Sequence, residues 1–190
     1  MNMISLIAFL IISSITPGPS NILIMNEVRQ YGFKRAIPFV SGVLFGFACL
    51  GLLSSLFTVQ LSAILPIMIP YLKLVGIAYL LFMAYKIAKS NMTPANTSKE
   101  KSSFMSGMFI QLINVKSILF FLTVWVTFVL PYTSTSIPMY LVFLSVGIGW
   151  GALLLWAGLG HVFKRLFEQY DRPFRLVMSL SLVYTAISIV

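Results

Sequence analysis

Apolar residues fall in six runs divided by short polar stretches, at about 3–25, 36–60, 65–88, 104–130, 137–160 and 173–190. Each run is long enough to cross a ~30 Å hydrocarbon core at ~1.5 Å per residue, so the pattern predicts six transmembrane helices. They consume most of the chain and leave no room for a separate soluble domain, which places any binding site inside the bundle. The first run is interrupted by Thr16-Pro-Gly-Pro-Ser-Asn21, a polar, proline-rich stretch with apolar residues on both sides.

Two prolines and a glycine predict a helix break there. Pro17 and Pro19 lack a backbone N–H, so the carbonyls of Ser13 and Ile15 lose their helical donors, and Gly18 permits a tight turn between them. Gly18 suits the N-cap of a second half-helix and Pro19 its first residue. That half-helix, expected to run to about Met25, would present the N–H groups of Ser20, Asn21 and Ile22 and the positive end of its dipole near mid-membrane, a setting for a carboxylate. In lipid, irregular backbone survives only where it faces protein or a cavity. The alternative is a kink that merely shapes packing.

The fourth run holds a second polar group, Gln111, Asn114 and Lys116. If its helix starts near Phe104, Lys116 lies ~18 Å deep, close to the bilayer centre. A lysine there costs ~3 kcal/mol on insertion scales, and no acidic residue in any span is available to pair with it. It reads as a substrate or proton-coupling residue; the alternative is a packing oddity held by carbonyls. His161, the only histidine, stands at the inner boundary of the fifth run, where it reads as a polar anchor or a proton carrier. Lys73 can snorkel to the headgroups, Tyr71, Tyr79 and Tyr85 are interfacial or line a cavity, and Glu27 reads as a solvated loop carboxylate. Gly42 and Gly46 in the second run, and Gly147 and Gly151 in the fifth, have the small-residue spacing that brings helix backbones together, within or between subunits.

The hydrophilic stretch Asn91–Ser103 marks the midpoint, a cytoplasmic linker between halves at 1–90 and 104–190 that together form one transmembrane domain. Lys73–Ile87 aligns without a gap on Arg175–Ile189, with Leu74, Val75, Leu80, Ala84 and Ile87 matching Leu176, Val177, Leu182, Ala186 and Ile189. Three spans per half require the halves to run oppositely across the membrane, so the fold class is an all-α bundle of two inverted three-helix repeats. The break in the first run and the Gln111–Lys116 cluster fall at similar depths, about 12–14 residues into their helices by ~1.5 Å steps. Paired discontinuities of this kind point to a midplane site.

Composition agrees: 59% of the residues are hydrophobic and 9% charged, with a mean hydropathy of +0.97. The net charge of +9 would fit nucleic acid, but topology accounts for it: all but two of the 13 basic residues fall between the first and second, third and fourth, or fifth and sixth runs. The positive-inside rule then puts both termini outside. Cys49 is the only cysteine, which rules out a dithiol relay, the nearest rival function of another class; a purely structural subunit would leave Lys116 unexplained. The spans hold no carboxylate or histidine cluster for a metal or hydrolytic site, and no cofactor is expected. The first run has no positively charged leader and is expected to be retained.

Thr16-Pro-Gly-Pro-Ser-Asn, Gly32-Phe-Lys-Arg and Gln111-Leu-Ile-Asn-Val-Lys together resemble the LysE/RhtB amino-acid exporters over the whole chain. Val115 stands where proline usually sits in that family, so the motif does not by itself fix a second break. Asn114-Val-Lys and the segment Gly160–Tyr170 are similar to the subgroup that exports cysteine and O-acetylserine. The resemblance implies efflux of small amino acids from the bacterial cytoplasm across the inner membrane, driven by an ion gradient, with a homodimer as the assembly. Homoserine, threonine and branched-chain amino acids are the rival substrates. On this reading Thr16, Pro17, Gly18, Pro19, Ser20, Asn21, Gln111, Asn114 and Lys116 bind a small zwitterion, and Lys116 or His161 carries a coupling proton.

Overall fold

The computed structural model describes residues 2–61, 67, 70–71, 74, 77–78, 81–82, 84–85, 88–89, 103–132, 137–162 and 171–188. Every element among them is helical. Helix α1 covers Met3–Ile15, α2 Pro19–Tyr31 and α3 Phe33–Leu61; α4 covers Phe104–Leu112 and α5 Val115–Thr123. A π-helical segment, Val124–Val129, and a 3₁₀ turn, Leu130–Tyr132, prolong α5 before α6 (Met139–Val162) and α7 (Asp171–Ser188). Between 67 and 89 every described residue is helical. Lys73, Tyr79, most of the linker at 91–103 and the segment 163–170 lie outside the described residues.

Among the described residues Phe33–Phe57, Val115–Tyr132 and Met139–Val162 are long and apolar enough to cross a membrane, and the bent pair α1–α2 makes a fourth if it is one span. Their outward faces carry Ile4, Ile12, Phe45, Phe57, Phe143 and Leu155, all well exposed. An apolar surface that large suits a lipid solvent and not water.

The predicted first break is present: α1 and α2 meet at 47°. The chain then stays helical beyond Met25, to Tyr31, because Gly32 takes φ +77° and caps α2 through its N–H to the Val28 carbonyl at 2.9 Å. One residue therefore joins α2 to α3. Glu27 is half-buried on a helix and not in a loop as the sequence reading expects.

Burial of apolar surface does not drive helices together in lipid, so van der Waals fit must hold them. Glycines supply it at the α3–α4 seam. A Cβ on Gly42 would stand 2.0 Å from the Phe104 carbonyl oxygen, and one on Gly107 2.2 Å from that of Phe39. Gly46 approaches the Met108 carbonyl in the same way, and Gly160 brings α6 onto Met25 of α2. The other predicted pair, Gly147 and Gly151, has nothing within 4 Å among the described residues. The main core gathers Leu10, Val43, Phe121, Trp125 and Leu141. A smaller one joins Ile22 and Met25 of α2 to Ala84, Trp156 of α6, and Leu182 and Ala186 of α7.

Gly42→Leu should force α3 and α4 apart and destabilise the bundle by ~1–3 kcal/mol, whereas Gly147→Leu, with open space above it, should stay within ~0.5 kcal/mol of the parent. Thermal unfolding of the purified protein in detergent measures both.

Candidate functional site

The two breaks face each other inside the bundle. In the first, Thr16 ends α1 with extended backbone, ψ 132°. Its N–H and hydroxyl both donate to the Ile12 carbonyl, at 3.0 and 2.6 Å. The carbonyls beyond are cared for from elsewhere. Asn21 folds its amide back to donate to the Ser14 and Thr16 carbonyls, at 3.0 and 3.1 Å. Trp156, from α6, donates its indole N–H at 3.2 Å to the Ile15 carbonyl, the one that Pro19 deprives of a helical donor. Gly18 is the N-cap of α2 and Pro19 its first residue, as expected. Of the three N–H groups anticipated there, that of Ile22 is taken by the Gly18 carbonyl at 3.0 Å, a correction to the sequence reading. Gly18 has no side chain to cap Ser20 and Asn21.

The second break forms without proline. Ile113 leaves the helix, and Asn114 becomes the N-cap of α5, its side-chain oxygen accepting the Lys116 N–H at 3.1 Å and its carbonyl accepting Ser117 and Ile118 at 2.9 and 3.0 Å. Val115 occupies the first helical position, where proline is favoured but not required, because asparagine supplies the cap. The helix before this break has 9 residues against 13 before the first, so the second break lies about a turn nearer its helix start than the sequence reading has it.

A buried hydrogen-bonded chain ties the breaks together. The Ser20 hydroxyl donates to the Gln111 side-chain oxygen. Asn114 donates its amide to the Ser20 hydroxyl at 2.6 Å, and Gln111 donates its own to the Ser117 hydroxyl at 2.8 Å. Gln111 is fully buried and Asn114 nearly so. Lys116 reaches across the gap, its ammonium donating to the Thr16 carbonyl. Its stem lies so close over Gly18 that a Cβ there would stand 2.6 Å from Lys116 Cδ, so a larger residue at this position would displace the lysine side chain.

These residues border a cavity with Ser13, Ser14, Ser117, Phe47, Phe120, Gly149 and Leu153. Its volume of about 30 Å³ admits one or two waters and no amino acid, so in this conformation the site is contracted. The lining includes no acidic side chain. The Ser14 hydroxyl is buried with no hydrogen-bond partner among the described residues. Among the described residues no three His, Cys, Asp or Glu side chains gather as a metal would need. Of the residues singled out from sequence, Gly18, Ser20, Asn21, Gln111, Asn114 and Lys116 line the cavity, and Thr16 borders it through its carbonyl. His161 does not: it is exposed at the end of α6, its ring edge-on to Phe33 at 6.4 Å.

Sequence reasoning missed Ser14, Ser117 and Trp156. Ser117 lies in reach of the Gln111–Lys116 cluster and could have been included with it, whereas Trp156 is 141 positions from the carbonyl it serves and carries no local signal.

A family model described as "LysE type translocator" matches residues 11–189. The chain is 35% identical to the "Cysteine/O-acetylserine efflux protein" of Escherichia coli (strain K12), over 95% of this chain and 93% of the relative. It is 36% identical to the protein of that name from Shigella flexneri serotype 5b (strain 8401) and 35% to that from Salmonella choleraesuis (strain SC-B67), with the same coverage. No solved structure matches the chain.

Removing one member of the buried chain strands its partners. Gln111→Leu should cost ~1–3 kcal/mol by leaving the Ser20 hydroxyl without its acceptor and the Ser117 hydroxyl without its donor, and Asn114→Ala ~1–2 kcal/mol by removing both the cap and the bond to Ser20. The double variant should fall short of the sum by at least ~0.5 kcal/mol, since the residues share partners. Unfolding transitions of the four proteins measure the coupling.

Proposed function

This chain belongs to the LysE-type translocator family, and we propose that it exports small neutral amino acids or their derivatives, such as cysteine and O-acetylserine, across a bacterial inner membrane. It is a multi-pass membrane protein of a transporter family, not an enzyme family. The observation that carries the reading is the buried polar chain from Ser20 to Gln111, Asn114 and Ser117, which joins two helix breaks around a cavity inside an otherwise apolar bundle. Polar and ionisable side chains inside spanning helices are costly, and where they occur they mark substrate or ion pathways.

The substrate class follows from the lining. The Lys116 ammonium and the first-turn N–H groups of α2 favour a carboxylate. With no acidic side chain in the lining, a substrate bearing a second positive charge has no counter-ion, so a neutral zwitterion fits better than a cationic amino acid. The names of the relatives point to cysteine and O-acetylserine within that class.

The architecture behind this is six helices in two inverted halves, 1–90 and 104–190, joined by a cytoplasmic linker, with both termini outside. Two features support it. The broken runs Met3–Tyr31 and Phe104–Tyr132 have equal length. Ala84 and Ala186, matched in the internal alignment, are buried in the same small core, where Ser179 of α7 donates to the Ala84 carbonyl at 2.9 Å. Rocking of the halves would open the cavity to each side in turn. Proton antiport would use Lys116, which faces the cavity, in preference to His161, which does not. A homodimer could use Gly147 and Gly151, over which no described residue packs.

In cells expressing the chain, labelled cysteine and O-acetylserine should leave faster than in cells without it, and faster than homoserine, threonine, leucine or lysine. Lys116→Ala and Pro17→Ala should each reduce efflux about tenfold or more at equal protein levels, a loss of ~1.4 kcal/mol in transition-state stabilisation. Undiminished efflux would remove these residues from the site, and no efflux of any amino acid in the panel would remove the function.

A further inference from the structure

The Thr16 carbonyl belongs to a small site of its own, at the point where α1 ends. We propose that this site binds the α-ammonium of the substrate, and that Lys116 fills it in the contracted state as a tethered competitor which the substrate must displace. The inference rests on reading the cavity as the amino-acid site.

Every group at the end of α1 that faces the cavity is an acceptor or can act as one. Thr16 has left the helix, so its carbonyl is released from the i+4 bond. It accepts from Lys116 and Asn21, while the neighbouring Ser14 carbonyl accepts from Asn21. The Ser14 hydroxyl borders the same cavity, buried and without a partner among the described residues. The negative end of the α1 dipole adds to the preference for a cation. A primary ammonium has three donors for such acceptors, of which Lys116 now uses one, on the Thr16 carbonyl, leaving the Ser14 hydroxyl unserved. Lys116 presents that group now, and an amino acid presents the same group.

The ligand's second charge decides what can displace it. An amine without a carboxylate would drive the Lys116 ammonium off Thr16 and leave two cations in a cavity lined by no acid. A carboxylate without an amine could draw Lys116 away, but the acceptors at Thr16 and Ser14 would lose their cation. A zwitterion satisfies both: its ammonium takes Thr16, and its carboxylate meets the released lysine and the first turn of α2. Space enforces the same linkage. The cavity of about 30 Å³ cannot admit an amino acid while the lysine stem lies over Gly18, so entry and displacement are one event. Selection for an unblocked α-amino acid thus arises from competition between two ammonium groups for one carbonyl.

The test uses the purified full chain in liposomes, with binding of labelled cysteine under reducing conditions competed by unlabelled cysteine, cysteamine (no carboxylate) and β-mercaptopropionate (no amine). In the wild type, cysteine should compete at least about tenfold better than either single-charge analogue. In Lys116→Met and Lys116→Gln, cysteamine should gain about tenfold or more while cysteine weakens, with direct calorimetric binding of cysteamine replacing competition if the label no longer binds. Wild-type protein that binds cysteamine as tightly as cysteine overturns the inference without any variant. Folded Lys116 variants that lose cysteine and gain nothing for cysteamine also overturn it, since the lysine would then serve the carboxylate alone. Both results leave cysteine export intact, whereas a wild type that binds and transports no amino acid defeats the functional reading itself.

Discussion

A bundle solvated by lipid must satisfy its interior polar groups from within, and the contact between the two helix breaks depends on that rule. Each break releases backbone groups that no neighbouring turn can absorb. In the first, the prolines free carbonyls; in the second, Asn114 closes the helix end that follows. The solution is mutual. Asn21 and Lys116 serve the carbonyls of the first break, while Ser20, Gln111, Asn114 and Ser117 serve one another across the gap. Each break thus supplies hydrogen-bond partners to the other beyond those its own residues provide.

The packing that surrounds this pair is arranged to bring it together. Glycines of α3 and α4 let those helices approach to backbone contact, which sets α4 and hence Gln111 at the centre. Gly149 of α6 leaves space for the Phe47 ring, one wall of the cavity. Trp156 then connects two levels of structure: its ring is part of the small core with Leu182 and Ala186, and its N–H holds the Ile15 carbonyl at the end of α1. A shift of α7 against α6 would therefore be felt at the first break, through a single indole.

How much of this can be read from the chain depends on how local each cause is. Pro17, Gly18 and Pro19 impose their geometry on their own neighbours, so the break, the N-cap and the first residue of α2 follow from sequence. The Gln111–Lys116 cluster is legible as polarity misplaced in an apolar run, but the break inside it rests on a capping asparagine, which the missing proline obscures. Glu27 is misread because a polar stretch after an apolar run looks like a loop, whereas Gly32 shows that a single residue can make the turn. The two glycine pairs share one spacing and differ in outcome, one sealed against α4 and the other uncovered by any described residue, since spacing says what a helix face permits and not what covers it. Trp156 is illegible for the plainest reason: its partner is named only by the fold.

A break in one helix also brings opposite poles together. The end of α1 offers carbonyl oxygens and the negative end of a dipole, and a residue or two later the start of α2 offers N–H groups and a positive end. The two are separated only by Pro17 and Gly18, which lie between Thr16 and the first residue of α2. On the proposed reading, such a gap would recognise what all amino acids share and would say little about their side chains. Discrimination must then come from the opposite wall, where Phe47, Phe120 and Leu153 bound the space left over. Lys116 bridges these two tasks. Its ammonium holds the Thr16 carbonyl now, and under the proposal above its departure would make room for a ligand whose size the apolar side chains can judge.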